Sequence, residues 1–198
     1  MDAITTTTYY ESHQKKACVT AIVFAAIGLL LLCVGIGTPS WHIDYDSTGT
    51  TPQWYTNYFY TCYAVNNTCW NNQYLYSSVV NYYQQPITES TAVSTDYYLR
   101  LRNAAGLGIV GLLFVLFGLI ATIVLLIPSY RFKKFGGRFN LLAALLLAIA
   151  ALFQRAALSE GQHQLEYNGY SADLYATGHA LTICAIPICA FVAGRICF

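Results

Sequence analysis

The chain has 198 residues, 56% of them apolar and only 10% charged, with a formal net charge of +1. No strongly basic surface exists for a nucleic acid to bind, and no stretch is polar enough to form a separate soluble domain. Four stretches, Ala17 to Thr38, Ala104 to Ile127, Phe139 to Leu158 and Leu174 to Ala193, supply the run of about 20 apolar residues that a helix needs to cross about 30 Å of hydrocarbon. The expectation is an α-helical membrane protein: a single domain over residues 1–198, a four-helix bundle with two outer loops, 39–103 and 159–173.

The first apolar stretch is too long for the h-region of a cleaved signal peptide and has no small-residue cleavage site, so it reads as a retained span that doubles as a targeting signal. Lys15 and Lys16 precede it, Arg131, Lys133, Lys134 and Arg138 crowd the link between the second and third spans, and Arg195 follows the fourth. The other side holds Arg100, Arg102 and Arg155 with the acids Asp44, Asp46, Glu89, Asp96, Glu160, Glu166 and Asp173. Basic residues collect on cytoplasmic flanks, so both termini are expected in the cytoplasm. Of the seven cysteines, only Cys62 and Cys69 then face outward, where oxidation is allowed. That leaves one pairing, whose closure contributes about 2.5 kcal/mol in the chain-entropy model. Cys18, Cys33, Cys184, Cys189 and Cys197 are expected to be reduced.

In chain order, Met1 to Lys16 is Thr-rich and reads as a mobile leader. The first span carries Ala21, Ala25, Gly28 and Gly35, small residues that let helices approach closely in lipid. The loop that follows, about 64 residues from Pro39 to Arg102, is too long to be a simple connector. Its first part, Trp41 to Asp46, alternates apolar with polar as a half-buried strand does, and Asp46-Ser47-Thr48-Gly49 is a turn. Trp54 to Tyr63 is aromatic and β-favouring, Val65 to Thr68 turns the chain, and Trp70 to Tyr83 continues in the same style. Three or four antiparallel strands are expected, with the disulfide across a hairpin. Ser94 or Thr95 is placed to cap a short helix with Asp96 in its first turn, leading through Tyr97 to Arg102 into the second span.

That span contains Gly106-Leu107-Gly108-Ile109-Val110-Gly111, formally G-x-G-x-x-G. A dinucleotide site needs a preceding buried strand and a later acidic residue about 20 positions on; here the glycines sit inside a membrane helix and the next acid is Glu160, so close helix packing is the better reading. The basic link from Pro128 to Arg138 suits a tight hairpin beside anionic headgroups. The second outer loop is polar and acidic with Asn168-Gly169 as a turn signal, and Pro187 is expected to kink the fourth span.

Four spans, internal termini, a long first outer loop and a shorter second one resemble the claudins and their relatives, the peripheral myelin protein group and the stargazin-type auxiliary subunits. The family signature is a Trp soon after the first span, then Gly-Leu-Trp, two residues, Cys, a spacer and Cys. Pro39-Ser40-Trp41 matches its start. Phe59 stands where the family has its second Trp, the Gly-Leu is missing, and the spacer between Cys62 and Cys69 is shorter than the claudin norm. Arg102, beside Leu99 and Leu101, is similar to the family's Arg at the end of its outer helix. The resemblance implies a left-handed four-helix bundle bearing an extracellular β-sheet. It also implies one of two roles. One is a non-enzymatic protein of cell–cell junctions at the plasma membrane, binding copies of itself in cis and in trans through the outer loops as a paracellular barrier or ion-selective pore. The other is an auxiliary subunit of a channel or receptor.

Several side chains have two readings each. Trp41 either locks the sheet onto the bundle at the lipid boundary or belongs to an interfacial aromatic belt. Asn66-Asn67-Thr68 is an N-glycosylation sequon inside a tight disulfide loop, occupied or not. Asp44 and Asp46, together on the polar face of the first strand, either line a cation-preferring passage or form a solvated acidic face. Cys197 is a juxtamembrane palmitoylation candidate or a plain thiol. A quinone-linked oxidoreductase would use a membrane C-x-x-C, but Cys184 and Cys189 are too far apart in sequence, and no metal, cofactor or catalytic motif is read. His179 is a ligand or proton carrier, or hydrogen-bonds within the bundle, and Arg155 can snorkel from its helix end. Arg195 to Phe198 lies too near the bilayer to enter a scaffold PDZ groove.

Overall fold

The computed structural model describes residues 3–72, 89–124, 126, 136–162 and 167–196. The elements run α1 (Ala3–Gly37), β1 (His42–Tyr45), β2 (Pro52–Thr56), β3 (Tyr60–Tyr63), β4 (Thr68–Asn71), α2 (Glu89–Val124), α3 (Gly136–Gln162) and α4 (Tyr170–Ile196). Four helical stretches, Lys15–Gly37, Leu99–Val124, Leu141–Gln162 and Tyr170–Val192, are long and apolar enough to cross a membrane. With the antiparallel four-stranded sheet, in order β1-β2-β3-β4, this is the architecture expected of a multi-pass membrane protein.

The helices invert the pattern of a soluble core. Along α1 the buried positions are Cys18, Ala21, Ala25, Gly28, Leu32, Gly35 and Ile36, whereas Val19, Val23, Ile27, Leu30 and Val34 are exposed. The four small residues singled out in this span all lie on its buried face. Along α2, Ala104, Gly108, Gly111, Val115, Gly118 and Thr122 turn inward, and Ile109, Leu113, Phe117 and Ile120 outward. Both stripes recur at three or four residues, the helical period, with small side chains on the packed face. The exposed side chains are those that hydrocarbon would cover.

The chain's contacts group into two compact units. The first comprises 1–30, 110–152 and 177–198, and contains segments of all four helices. In it, a Cβ at Gly28 would stand 3.0 Å from the Gly178 carbonyl, and one at Gly118 2.9 Å from the Leu147 side chain. The Thr122 hydroxyl bonds the Gly118 carbonyl (2.8 Å) and lies 3.9 Å from Cys189 Sγ. The second unit comprises 31–109 and 153–176: the sheet with the remaining segments of the same helices. Here a Cβ at Gly35 would press on Tyr175 (2.8 Å) and the Ser171 carbonyl (2.9 Å). One at Gly108 would meet Ile36 Cδ1 (2.8 Å) and the Tyr175 hydroxyl (3.4 Å). Of the three glycines of the G-x-G-x-x-G, Gly108 and Gly111 are buried but Gly106 meets nothing within 4 Å. Two residues along a helix is about 200°, so Gly106 cannot share their face.

Several boundaries differ from the sequence reading. From Ala3 onward the N-terminal segment is helical, and α1 runs unbroken into the span, since adding residues to an existing helix is far easier than nucleating one. The chain is already helical at Glu89, so Ser94, Thr95 and Asp96 lie inside α2 and not at its start. The second outer loop is shorter than 159–173, because α3 extends to Gln162 and α4 starts at Tyr170 with Asp173 in its first turn, where a carboxylate favours the helix dipole. Pro187 sits inside α4 without interrupting it, removing the N–H that would bond the Ile183 carbonyl. Within the aromatic run from Trp54 to Tyr63, a reversal at residues 57–59 splits one expected strand into β2 and β3. The expected continuation from Trp70 to Tyr83 ends as a strand at Asn71, and beyond Asn72 it lies outside the described residues.

Candidate functional site: the sheet and its anchor

The sheet and the side chains that anchor it lie within the second unit. A helix leaves its last carbonyls without intrahelical donors, and the segment after α1 returns to supply them. Thr38 N–H bonds the Val34 carbonyl at 3.1 Å. Trp41 Nε1–H donates to the Gly35 carbonyl at 2.6 Å, Tyr60 O–H to the Gly37 carbonyl at 2.7 Å, and Asn57 Nδ2–H to the Thr38 carbonyl at 3.2 Å. Three side chains of the sheet segment therefore fasten it to the end of α1.

Asn57 also makes the reversal. Its Oδ1 accepts from the Phe59 and Tyr60 amides, both at 2.8 Å, the side-chain-to-backbone turn that Asn favours. A second buried asparagine closes the arrangement. Asn72 Nδ2–H donates to the Asn57 carbonyl (2.8 Å), its amide N–H to the Phe59 carbonyl (2.7 Å), and its Oδ1 accepts from the Thr61 hydroxyl (2.9 Å). Buried amides so fully bonded specify one arrangement, because an unmade bond there would cost the whole desolvation of the group.

Trp41 is fully buried and packs against three tyrosine rings, with centroid distances of 4.4 Å to Tyr58, 5.2 Å to Tyr167 and 5.3 Å to Tyr175. The Tyr58 and Tyr167 hydroxyls lie 2.8 Å apart, and Tyr167 O–H donates to the Leu158 carbonyl at 2.8 Å. Burial pushes both phenols above the ordinary tyrosine range, since the phenolate would lose its hydration. Of the two readings of Trp41, the lock between sheet and helices is the one the geometry bears out; a belt residue would meet lipid headgroups.

The second outer loop joins the same assembly. Asn168 turns its amide to β1 as if it were a strand: Ile43 N–H donates to Asn168 Oδ1 (2.7 Å), and Asn168 Nδ2–H to the Ile43 carbonyl (2.9 Å). Gly169 N–H bonds the Trp41 carbonyl (3.2 Å) and Ser171 N–H the Ser40 carbonyl (3.1 Å). A Cβ at position 169 would fall on the Ser40 carbonyl, so only glycine fits. The Asn168-Gly169 turn is thus also a rung on the β1 edge, occupying pairing groups that would otherwise be a template for another strand.

Cys62 and Cys69 are disulfide-bonded directly across the β3–β4 pair. Phe59, the stand-in for the second signature Trp, is half-buried in the β2–β3 reversal. Arg102 is exposed; the neighbouring Arg100 is the one that lies 3.8 Å from Glu160, a weak, solvated pair. Asp44 is exposed on β1. Asp46 is not its free companion: its Oδ1 accepts from the Thr48 hydroxyl (2.7 Å) and from the Thr50 (3.1 Å) and Thr51 (3.3 Å) amides. Those bonds, the Thr48 hydroxyl foremost, hold its carboxyl below the usual range. The strand register also shifts between Asp44 and Tyr45, which ends the simple alternation that put both on one face.

Asn66 is exposed, with its Oδ1 accepting from the Thr68 amide at 3.0 Å. Arg155 is exposed and His179 half-buried, both in the span helices. On α4 Cys189 is buried and Cys184 exposed, so the two thiols face different surroundings. Cys197 lies outside the described residues. Among the described residues no three His, Cys, Asp or Glu side chains gather where a metal ion would sit.

Sequence reasoning missed Asn57, Asn72 and Tyr60. The one signal for Asn57 was a lone Asn interrupting an aromatic run. Comparison with protein-family models and with curated proteins finds no match for this chain.

Proposed function

We propose that this is a non-enzymatic, claudin-like membrane protein of cell–cell contacts, with both termini cytoplasmic and the sheet outside the plasma membrane. It assembles through its outer loops, in cis and in trans, into a paracellular barrier or pore of tight-junction type. One observation carries the reading: the sheet is fastened to the end of α1 by Trp41, Asn57 and Tyr60, so its turns are held ready before any partner arrives. A pre-ordered surface loses less conformational entropy on binding than a flexible loop. The turns themselves, residues 47–51 and 65–68, are exposed, with Val65 75% accessible. The distribution of Lys and Arg supports the orientation, and the order Trp41, Cys62, Cys69 after the first span supports the family.

An auxiliary channel or receptor subunit would use the same rigid surface laterally. Expression in cells that lack adhesion strands separates the two. Strands at contacts between expressing cells are the expected result, and co-purification of a channel in fixed proportion without strands overturns the junction reading.

A further inference from the structure

The β3–β4 turn holds chemistry that a barrier role does not use. Asn66-Asn67-Thr68 is the single Asn-x-Ser/Thr tripeptide in the sequence. It lies inside the loop closed by Cys62 and Cys69. Every residue from Val65 to Cys69 is exposed, so a sugar on the Asn66 side chain would meet no neighbouring wall.

The folded hairpin, however, does not present an acceptor tripeptide. Thr68 is paired opposite Tyr63 in the ladder, Asn67 stands at φ 53°, and Asn66 Oδ1 is bonded to the Thr68 amide. A transferase needs that tripeptide unfolded in its own groove. Disulfide closure, which pins Cys69 opposite Cys62, removes it from reach.

We propose that Asn66 carries an N-linked glycan, added before the Cys62–Cys69 bond closes, and that the two modifications compete for the same nascent hairpin. The donor is a lipid-linked oligosaccharide diphosphate. The Asn66 amide nitrogen forms a bond to sugar C1, the C1–O bond to the diphosphate breaks, the lipid diphosphate leaves with the electron pair, and the amide gives up one proton. No redox change occurs. The glycosylated chain then folds normally, because the sugar departs from an exposed tip. Two populations result, one bare and one bearing a bulky hydrophilic group on the turn. Only the bare one can bring that turn against an opposing surface, so occupancy regulates the docking face.

The inference rests on the outward orientation proposed above, and the test separates the two. The full chain is expressed in cultured animal cells and its mobility compared before and after peptide-N-glycosidase treatment. Two bands that merge on digestion are expected. Asn66→Gln and Thr68→Ala should abolish the slower band, and Thr68→Ser should keep it. Replacing Cys62 and Cys69 by Ala, which adds no second acceptor at Asn67, should raise the slower fraction at least severalfold, even if that protein stays in the endoplasmic reticulum, where the transfer occurs. Tyr83→Thr combined with Asn66→Gln creates an acceptor at Asn81 of the same loop and serves as the orientation control. A modified control beside an unmodified wild-type chain overturns the glycan while leaving the orientation intact; an unmodified control beside an unmodified wild-type chain overturns both. Full occupancy in the wild type, or a ratio indifferent to the cysteines, overturns the competition.

Discussion

Trp41 acts through one hydrogen bond and three ring contacts, and substitution separates them. Trp41→Phe keeps an aromatic ring but leaves the Gly35 carbonyl without its close donor, which should cost about 1–2 kcal/mol. Trp41→Ala also empties the site and should cost about 3–5 kcal/mol. The tyrosines around it should diverge. Tyr167→Phe gives up the bond to the Leu158 carbonyl and should lose about 1 kcal/mol. Tyr175 has a buried hydroxyl with no hydrogen-bond partner among the described residues, so Tyr175→Phe should be neutral or stabilising. Thermal unfolding of the purified variants in one detergent measures all four, and equal losses for the two tyrosine variants would contradict this assignment. Asp46 predicts a pH dependence. Its folded carboxyl is held below its unfolded value, so its contribution is complete above about pH 4 and disappears as the pH falls through the lowered folded value. The protection of the Thr50 and Thr51 amides, their exchange measured against the intrinsic rate at each pH, should therefore fall on acidification in the wild type. In Asp46→Ala that protection should be low at every pH.

At the scale of elements, glycines decide how near the helices come. Gly35→Ala drives a Cβ to 2.8 Å from the Tyr175 backbone and 2.9 Å from the Ser171 carbonyl. Backbone cannot rotate aside, so α1 and α4 must separate, at a cost of about 1–3 kcal/mol. Gly106→Ala meets open space and should be neutral or gain up to about 1 kcal/mol from helix propensity. Unfolding in detergent again gives the comparison, and similar behaviour of the two would remove close packing as the reason for Gly35. The sheet depends on its covalent link, being four strands of four or five residues each. Cys62→Ser removes a constraint of a kind that costs small extracellular folds about 2–5 kcal/mol. The expected outcome is retention in the endoplasmic reticulum, read by surface biotinylation against the wild type.

For the whole molecule the testable quantity is charge. The segments proposed to face outward carry three basic residues against seven acids, a formal charge of minus four. A narrow passage lined by such carboxylates concentrates cations. Asp44 is the residue with which to test it, because it is exposed, whereas replacing Asp46 would dismantle the turn it holds together. In an epithelial monolayer, Asp44→Lys should move the dilution potential towards chloride at equal surface expression. An unchanged permeability ratio would exclude Asp44 from any pore.

The sequence by itself determined what depends on pattern along the chain. Span number, the small-residue face of α1, the β1 strand, the Asp46 turn and the Cys62–Cys69 pairing all follow from hydrophobic period, local turn chemistry and the redox side of a membrane. Only the tertiary structure decided what depends on groups distant in sequence. That Trp41 would donate to the last turn of its own preceding helix, that Asn57 would break an aromatic run to reach Thr38, and that Asn168 would complete a rung on Ile43 are meetings between chain segments up to 125 positions apart. A lone asparagine has the same composition whether it caps, turns or bridges. Which it does is set by the orphan carbonyl or strand edge that folding brings to it, and that partner is absent from any local window of sequence.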